Sequence, residues 1–170
     1  MTVLEVLTYP DKFLKKKTKP VEEIDDNIRK LVKDMADTMY EAPGVGLAAI
    51  QVGSDKSVIL YDPAPDKEQR AYSVLINPVI VSMDGEYLSE NEGCLSVPDF
   101  RADVKRAEFV VAKGLDLEGN PVNIETDGIL SVILQHEIDH LNGILFIDRI
   151  SSLKREMYKR KIIKQLKRTG

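Results

Sequence analysis

Residues 126–143 read TDGILSVILQHEIDHLNG, and the rest of the chain is best read outward from this stretch. Ile129, Val132, Ile133, His136 and His140 recur at steps of three and four, the period of one helix face. Thr126 or Asp127 offers an N-cap and Asn142-Gly143 a stop signal, so the spacing predicts a helix running through Leu141. On such a helix His136 and His140 lie one turn apart on one side, within reach of a single ion at the roughly 2.0–2.1 Å of a Zn–N bond, with Glu137 beside them. Helical histidine pairs also arise by chance, pairing with a neighbour such as Asp139 or capping carbonyls. These are the only two histidines in 170 residues, and both flank a glutamate. That favours a metal site.

Upstream of this helix the pattern turns to strands. Ser57–Tyr61, Tyr72–Ile76 and Val79–Val81 are short β-rich runs bounded by Pro63, Pro65, Pro78 and the turn Asp84-Gly85. Phe109–Ala112 and Leu115–Leu117 lead to Glu118-Gly-Asn-Pro121, and Val122–Ile124 follows, which predicts a hairpin turning near Gly119. Further out, Ile24–Ala42 carries Ile28, Leu31, Val32, Met35 and Met39 at helical spacing and ends at Pro43. After the histidines, Leu153, Met157, Ile162, Ile163 and Leu166 predict a third, amphipathic helix in a basic tail. Strands between helices without βαβ alternation indicate an α+β fold. Its mixed or antiparallel strands surround the central HExxH helix, with the amphipathic helix at the N-terminal end and the basic one at the C-terminal end. No repeat or Ser/Gly linker divides the chain, so residues 1–170 read as one domain.

Composition excludes several classes. Apolar residues are 43 %, charged residues 31 %, and there are 10 Gly and 8 Pro, which sets aside disordered and collagen-like chains. The net charge of −4 argues against a chain that coats nucleic acid by bulk electrostatics, and no sequence-specific nucleic acid is expected as a partner. The charge is uneven: Ser151–Gly170 carries +7 and the other 150 residues −11. Such charge runs usually mark a solvated helix face. Cys94 is the single cysteine, so no intrachain disulfide framework exists. Glu5 interrupts the N-terminal apolar stretch, and no run reaches the roughly 18 apolar residues of a membrane span. A cytoplasmic protein without membrane contact is expected.

A catalytic metal site needs about three protein ligands and an open position. Downstream of His140 there is no further histidine, and the acidic residues are Asp148 and Glu156. Asp148 is compatible by spacing. Upstream, Glu92-Gly-Cys-Leu-Ser96 offers Cys94, whose thiolate is a soft donor, beside Gly93, which leaves the backbone open. A lone cysteine is also often a small buried hydrophobe. Gly44-Val-Gly-Leu-Ala-Ala49 superficially matches a dinucleotide fingerprint, but it follows a helix and Pro43 where the fingerprint needs a preceding strand. No Gly-Lys-Ser/Thr makes it a phosphate loop either.

Three blocks in order, Gly44–Gln51 (GVGLAAIQ), Glu92–Ser96 (EGCLS) and His136–His140 (HEIDH), together resemble peptide deformylases. The resemblance takes in most of the chain, including Thr8–Asp11 and the helix before Gly44. It implies metal ligation by Cys94, His136 and His140, with ferrous iron the commonest ion and zinc, nickel or cobalt accepted. It implies removal of the formyl group from formyl-methionine at the start of nascent polypeptides, with release of formate. An ion so held lowers the pKa of its bound water toward about 7 and provides a hydroxide nucleophile.

Glu137 would act as general base and then general acid. The resemblance assigns Gln51 and the N–H of Leu95 as oxyanion donors, and Val45 and Gly46, with Gly93, as the border that receives the peptide as an added strand. Ile129, Val132 and Ile133 share the face of His136 and would wall the methionine pocket. Ser89-Glu90-Asn91 is more polar than the apolar residue some deformylases place two before the glutamate of this block. Glu92 with Arg106 or Arg101 would brace the Cys94 loop. The +7 tail would suit the RNA phosphates of the ribosome surface. Two competing readings stand beside this one. One is a zincin-like endopeptidase, disfavoured by the missing downstream histidine. The other is a non-catalytic metal-binding module, disfavoured by Glu137, for which a closed structural site has no use.

Overall fold

The computed structural model describes residues 1–169. Asp25 caps the first helix, α1 (Asp26–Glu41), by accepting the N–H of Ile28 at 3.0 Å, which is why the helix begins two residues later than its apolar period suggests. Seven strands follow: β1 (Gly46–Ala48), β2 (Val58–Tyr61), β3 (Ser73–Asp84), β4 (Tyr87–Cys94), β5 (Val97–Arg106), β6 (Phe109–Leu115) and β7 (Pro121–Asp127). Then come α2 (Gly128–Leu141) and α3 (Ser152–Thr169). A five-stranded sheet has the order β1-β2-β3-β6-β7, and β4-β5 form a separate hairpin. All of these pairings are antiparallel, and the fold is α+β, with three α-helices among the described residues.

Around β2 both faces of the large sheet are covered, which is why its four residues are all buried. Val58 and Leu60 face α1, packing with Val32, Met35 and Met39. Ile59 and Tyr61 alternate to the opposite face and pack with Ile133, Leu134 and Ile138 of α2. Each large apolar side chain so enclosed contributes about 1.5–3 kcal/mol. A third cluster joins Val97 and Val104 of the β4-β5 hairpin to Leu145, Phe146 and Ile147, and α3 adds Tyr158 and Ile162.

Three expectations change. The runs either side of Pro78 are one strand, because the register slips between Ile76 and Val79 and the bulge tolerates a residue with no N–H. Segments around Gly46 and Cys94 are strands and not loops: Gly46–Ala48 is only three residues long, and the largely polar run that ends at Cys94 carries no alternating apolar signal. The apolar residues of α3 form no single buried stripe: Leu153 and Met157 are 71 % and 62 % exposed, Ile163 and Leu166 half-exposed, and Ile162 alone of the five is buried. Among the described residues no helix is long and apolar enough to cross a membrane.

Candidate metal centre

The end of β4 and the middle of α2 meet through Cys94, His136 and His140. Cys94 Sγ lies 3.3 Å from His140 Nε2, and that nitrogen lies 3.3 Å from His136 Nε2. All three donor atoms fall within 4.8 Å of one another, so this group could hold a metal ion. Soft sulfur with two imidazoles suits a divalent transition metal. Asp148 is elsewhere, its carboxylate accepting the N–H of Leu145 at 2.9 Å. Asp139 pairs with arginines and with neither histidine.

Glu92 orients His136. Its Oε1 lies 2.7 Å from His136 Nδ1, and an ionised carboxylate only accepts, so the Nδ1 carries a proton there and Nε2 is the nitrogen turned towards the site. Burial raises the Glu92 pKa, but hydrogen bonds from His136 and Arg106 outweigh it and hold the group at about 2. Arg106 is the partner of Glu92, bonding both its carboxylate oxygens. Arg101 is not: it donates to the Asn91 carbonyl at 3.1 Å and lies over Gly93, where an added Cβ would come within 3.0 Å of its Cζ. The bulge at Glu90-Asn91 leaves both residues exposed beside the cleft, so the polar departure in this block forms an outer rim.

Glu137 is buried at the cleft floor, and its Oε2 has no hydrogen-bond partner among the described residues. Burial pushes its pKa up to about 7, with the charges of Glu92 and Asp139 adding to the rise and His136 and Arg106 opposing it. A group so poised can exchange a proton near neutrality. Gly46 makes room for it: a Cβ there would sit 2.6 Å from Glu137 Oε1. Gln51, on the 3-10 turn after β1, receives the Ala48 N–H at 2.9 Å and directs its Nε2 at Ser96 Oγ (3.0 Å) and Cys94 Sγ (3.6 Å).

These residues floor an open cleft of about 1140 Å³. Val45, Gly46, Gly93, Leu95, Ile129, Val132 and Ile133 all line it. Ile129 stands at the mouth, 61 % exposed, while Ile133 is buried. The Val45 carbonyl already accepts the N–H of Asp62 at 2.9 Å. Sequence reasoning missed Ser96, though it sits in the same block as Cys94, and Phe146, whose ring stacks 6.2 Å from that of His136 and has no local signal.

An open cleft with three convergent donors and a buried carboxylate at its floor is the arrangement of a metal-dependent hydrolase. The sequence profile described as polypeptide deformylase matches residues 3–156. The chain belongs to that family. It is 52 % identical over 167 residues to the peptide deformylase of Desulfosudis oleivorans, covering 98 % of this chain and 96 % of the relative. The crystal structure of a Legionella pneumophila peptide deformylase superposes with a TM-score of 0.89 at 46 % identity, covering 99 % of each chain. That of the Acinetobacter baumannii enzyme, with Met-Ala-Ser bound, gives 0.82 at 40 % identity, covering 88 % of this chain and 99 % of the other. The protein is therefore a metal-dependent hydrolase that removes the N-formyl group of nascent polypeptides. The endopeptidase and non-catalytic readings fall with that assignment.

Proposed function

We propose that Cys94, His136 and His140, two of them on the central HExxH helix, hold one divalent ion, ferrous iron in the cell, and that residues 1–170 act as a single catalytic domain. The observation that carries this is the convergence of three donor atoms within 4.8 Å beside a buried carboxylate. When bound, such an ion supplies Lewis acidity and makes water acidic enough to attack at neutral pH. Glu137 takes the proton released as the water oxygen bonds the formyl carbon, then passes it to the amine nitrogen as the C–N bond breaks and formate leaves. Gln51 Nε2 and the N–H of Leu95 donate to the developing oxyanion.

The peptide lies between β1 and β4, each of which has one sheet neighbour and one free edge. Met-Ala-Ser bound to the Acinetobacter relative supports that placement in kind. Ile129, Val132 and Ile133 receive the methionine side chain, while Val45, Gly46 and Gly93 border the backbone. The Glu92–Arg106 pair steadies His136; Arg101 belongs to the rim. The charge of α3 favours contact with the ribosome in the cytoplasm, testable by co-sedimentation of wild type and a charge-reversed tail.

The decisive experiment is formate release from formyl-Met-Ala-Ser by anaerobically purified protein. Glu137→Ala should lose about 10²- to 10⁴-fold in kcat while retaining metal. Cys94→Ala should lose the metal. Wild-type rates in the first, or unchanged metal content in the second, would refute the assigned roles.

A further inference from the structure

Beyond the pair that touches His136, a line of alternating charges continues outward. Arg106, 2 % exposed, bonds Glu92 on one side and Asp139 Oδ2 at 2.8 Å on the other. Asp139 stands on α2 between Glu137 and His140, and its outer side is covered by Arg149, which donates from Nε at 2.6 Å and from Nη2 at 2.8 Å. This is a bidentate fork, the strongest geometry available to a guanidinium and carboxylate. Arg149 is 42 % exposed at its side chain and Asp139 13 %, so the arginine seals the carboxylate from water.

We infer that Arg149 is a positioning residue for the metal centre. It acts through Asp139, Arg106 and Glu92 on the orientation of His136, and this rests on the proposed ligand set. Four charges alternate in sign along the line, and its inner end is the hydrogen bond at His136 Nδ1. With Arg149 gone, Asp139 gains water on its open side and holds Arg106 less firmly. Arg106 then fixes Glu92 less, and the imidazole loses a defined rotation about its Nδ1 anchor. Arg149 also closes the 3-10 turn Phe146–Arg149, which carries Phe146 against the His136 ring. One guanidinium therefore fastens both the hydrogen-bonded and the stacked sides of that ligand. The sequence gives no hint of this, because Arg149 lies ten residues from its partner in a segment with no motif.

The test is metal retention. Zinc- or cobalt-loaded wild type, Arg149→Ala, Arg149→Lys, Asp139→Asn and the double variant Asp139→Asn/Arg149→Ala are titrated with a competing chelator. Removing a partner beyond the ligands typically costs 10- to 100-fold in metal affinity, and Arg149→Ala should fall in or just below that range. Arg149→Lys should recover part of it, since an ammonium restores charge but not the fork. The double variant should bind metal as Asp139→Asn does, because both changes break one line. The visible bands of the cobalt form should shift in Arg149→Ala and return toward wild type in Arg149→Lys.

Wild-type metal affinity and an unshifted cobalt spectrum in Arg149→Ala, even with lowered thermal stability, would overturn the inference by making Arg149 a structural fastener alone. Additive losses in the double variant would overturn it too. Should Cys94→Ala bind metal as tightly as wild type, the ligand set itself fails, and that result is distinct from either.

Discussion

Gly46 and Glu137 show how a residue's smallness can serve chemistry. The backbone of β1 runs so close to the Glu137 carboxylate that a methyl group at Gly46 would sit 2.6 Å from Oε1 and 2.9 Å from Cδ. Glu137 is buried on α2 and cannot yield without leaving the cleft floor. Gly46→Ala should therefore reduce kcat by about 10- to 100-fold, on the scale of a misplaced reacting group. Its melting temperature should change far less. A variant with wild-type kcat on formyl-Met-Ala-Ser would show that the carboxylate tolerates displacement.

At the scale of elements, α2 depends on how it ends. Gly143 follows the helix with φ of +74°, and a Cβ there would lie 2.3 Å from the Lys15 carbonyl oxygen. Both conformation and space demand glycine, and the obstruction is backbone, which cannot rotate away. Gly143→Ala should cost more than about 1 kcal/mol, a fall in melting temperature of about 3 °C or more in a chain of this size. Calorimetry on the wild type and the variant measures it. An unchanged melting temperature would mean that the turn near Lys15 moves freely. The stop signal Asn142-Gly143 was legible because it is local chemistry. The hairpin that delivers Cys94 was not, since its bulges at Glu90-Asn91 break the alternation by which strands are recognised.

For the whole molecule, the N-terminal segment is held by a charged clamp. Asp37 on α1 accepts the Thr2 N–H at 3.1 Å and an Arg70 nitrogen at 2.5 Å, with Lys33 3.5 Å away. The Thr2 backbone hydrogen bond, followed by Arg70 and Lys33, outweighs burial and holds this carboxyl below its ordinary value. A depressed folded pKa stabilises only where the unfolded chain is also ionised. The contribution is complete above the unfolded value, about 3.9, and disappears as pH falls through the lower folded value. Asp37→Asn should be less stable than wild type at pH 7, with the gap closing below about pH 4. Urea midpoints measured across pH 3–7 follow it, and a gap that stays constant in acid would remove the clamp's charge from the account.

The amino-acid order by itself determined the chemistry on offer: a helix with His136 and His140 one turn apart, Glu137 between them, one cysteine upstream, and the α+β class. Those features depend on local periodicity and residue type, which a chain carries before it folds. Only the tertiary structure decided that Cys94 meets both imidazoles, that Arg106 and not Arg101 faces Glu92, that β3 runs through Pro78, and that most apolar residues of α3 stay outside. Each of those outcomes depends on contacts between segments distant along the chain. Such contacts are selected by packing and charge pairing across the assembled core, which no local pattern encodes.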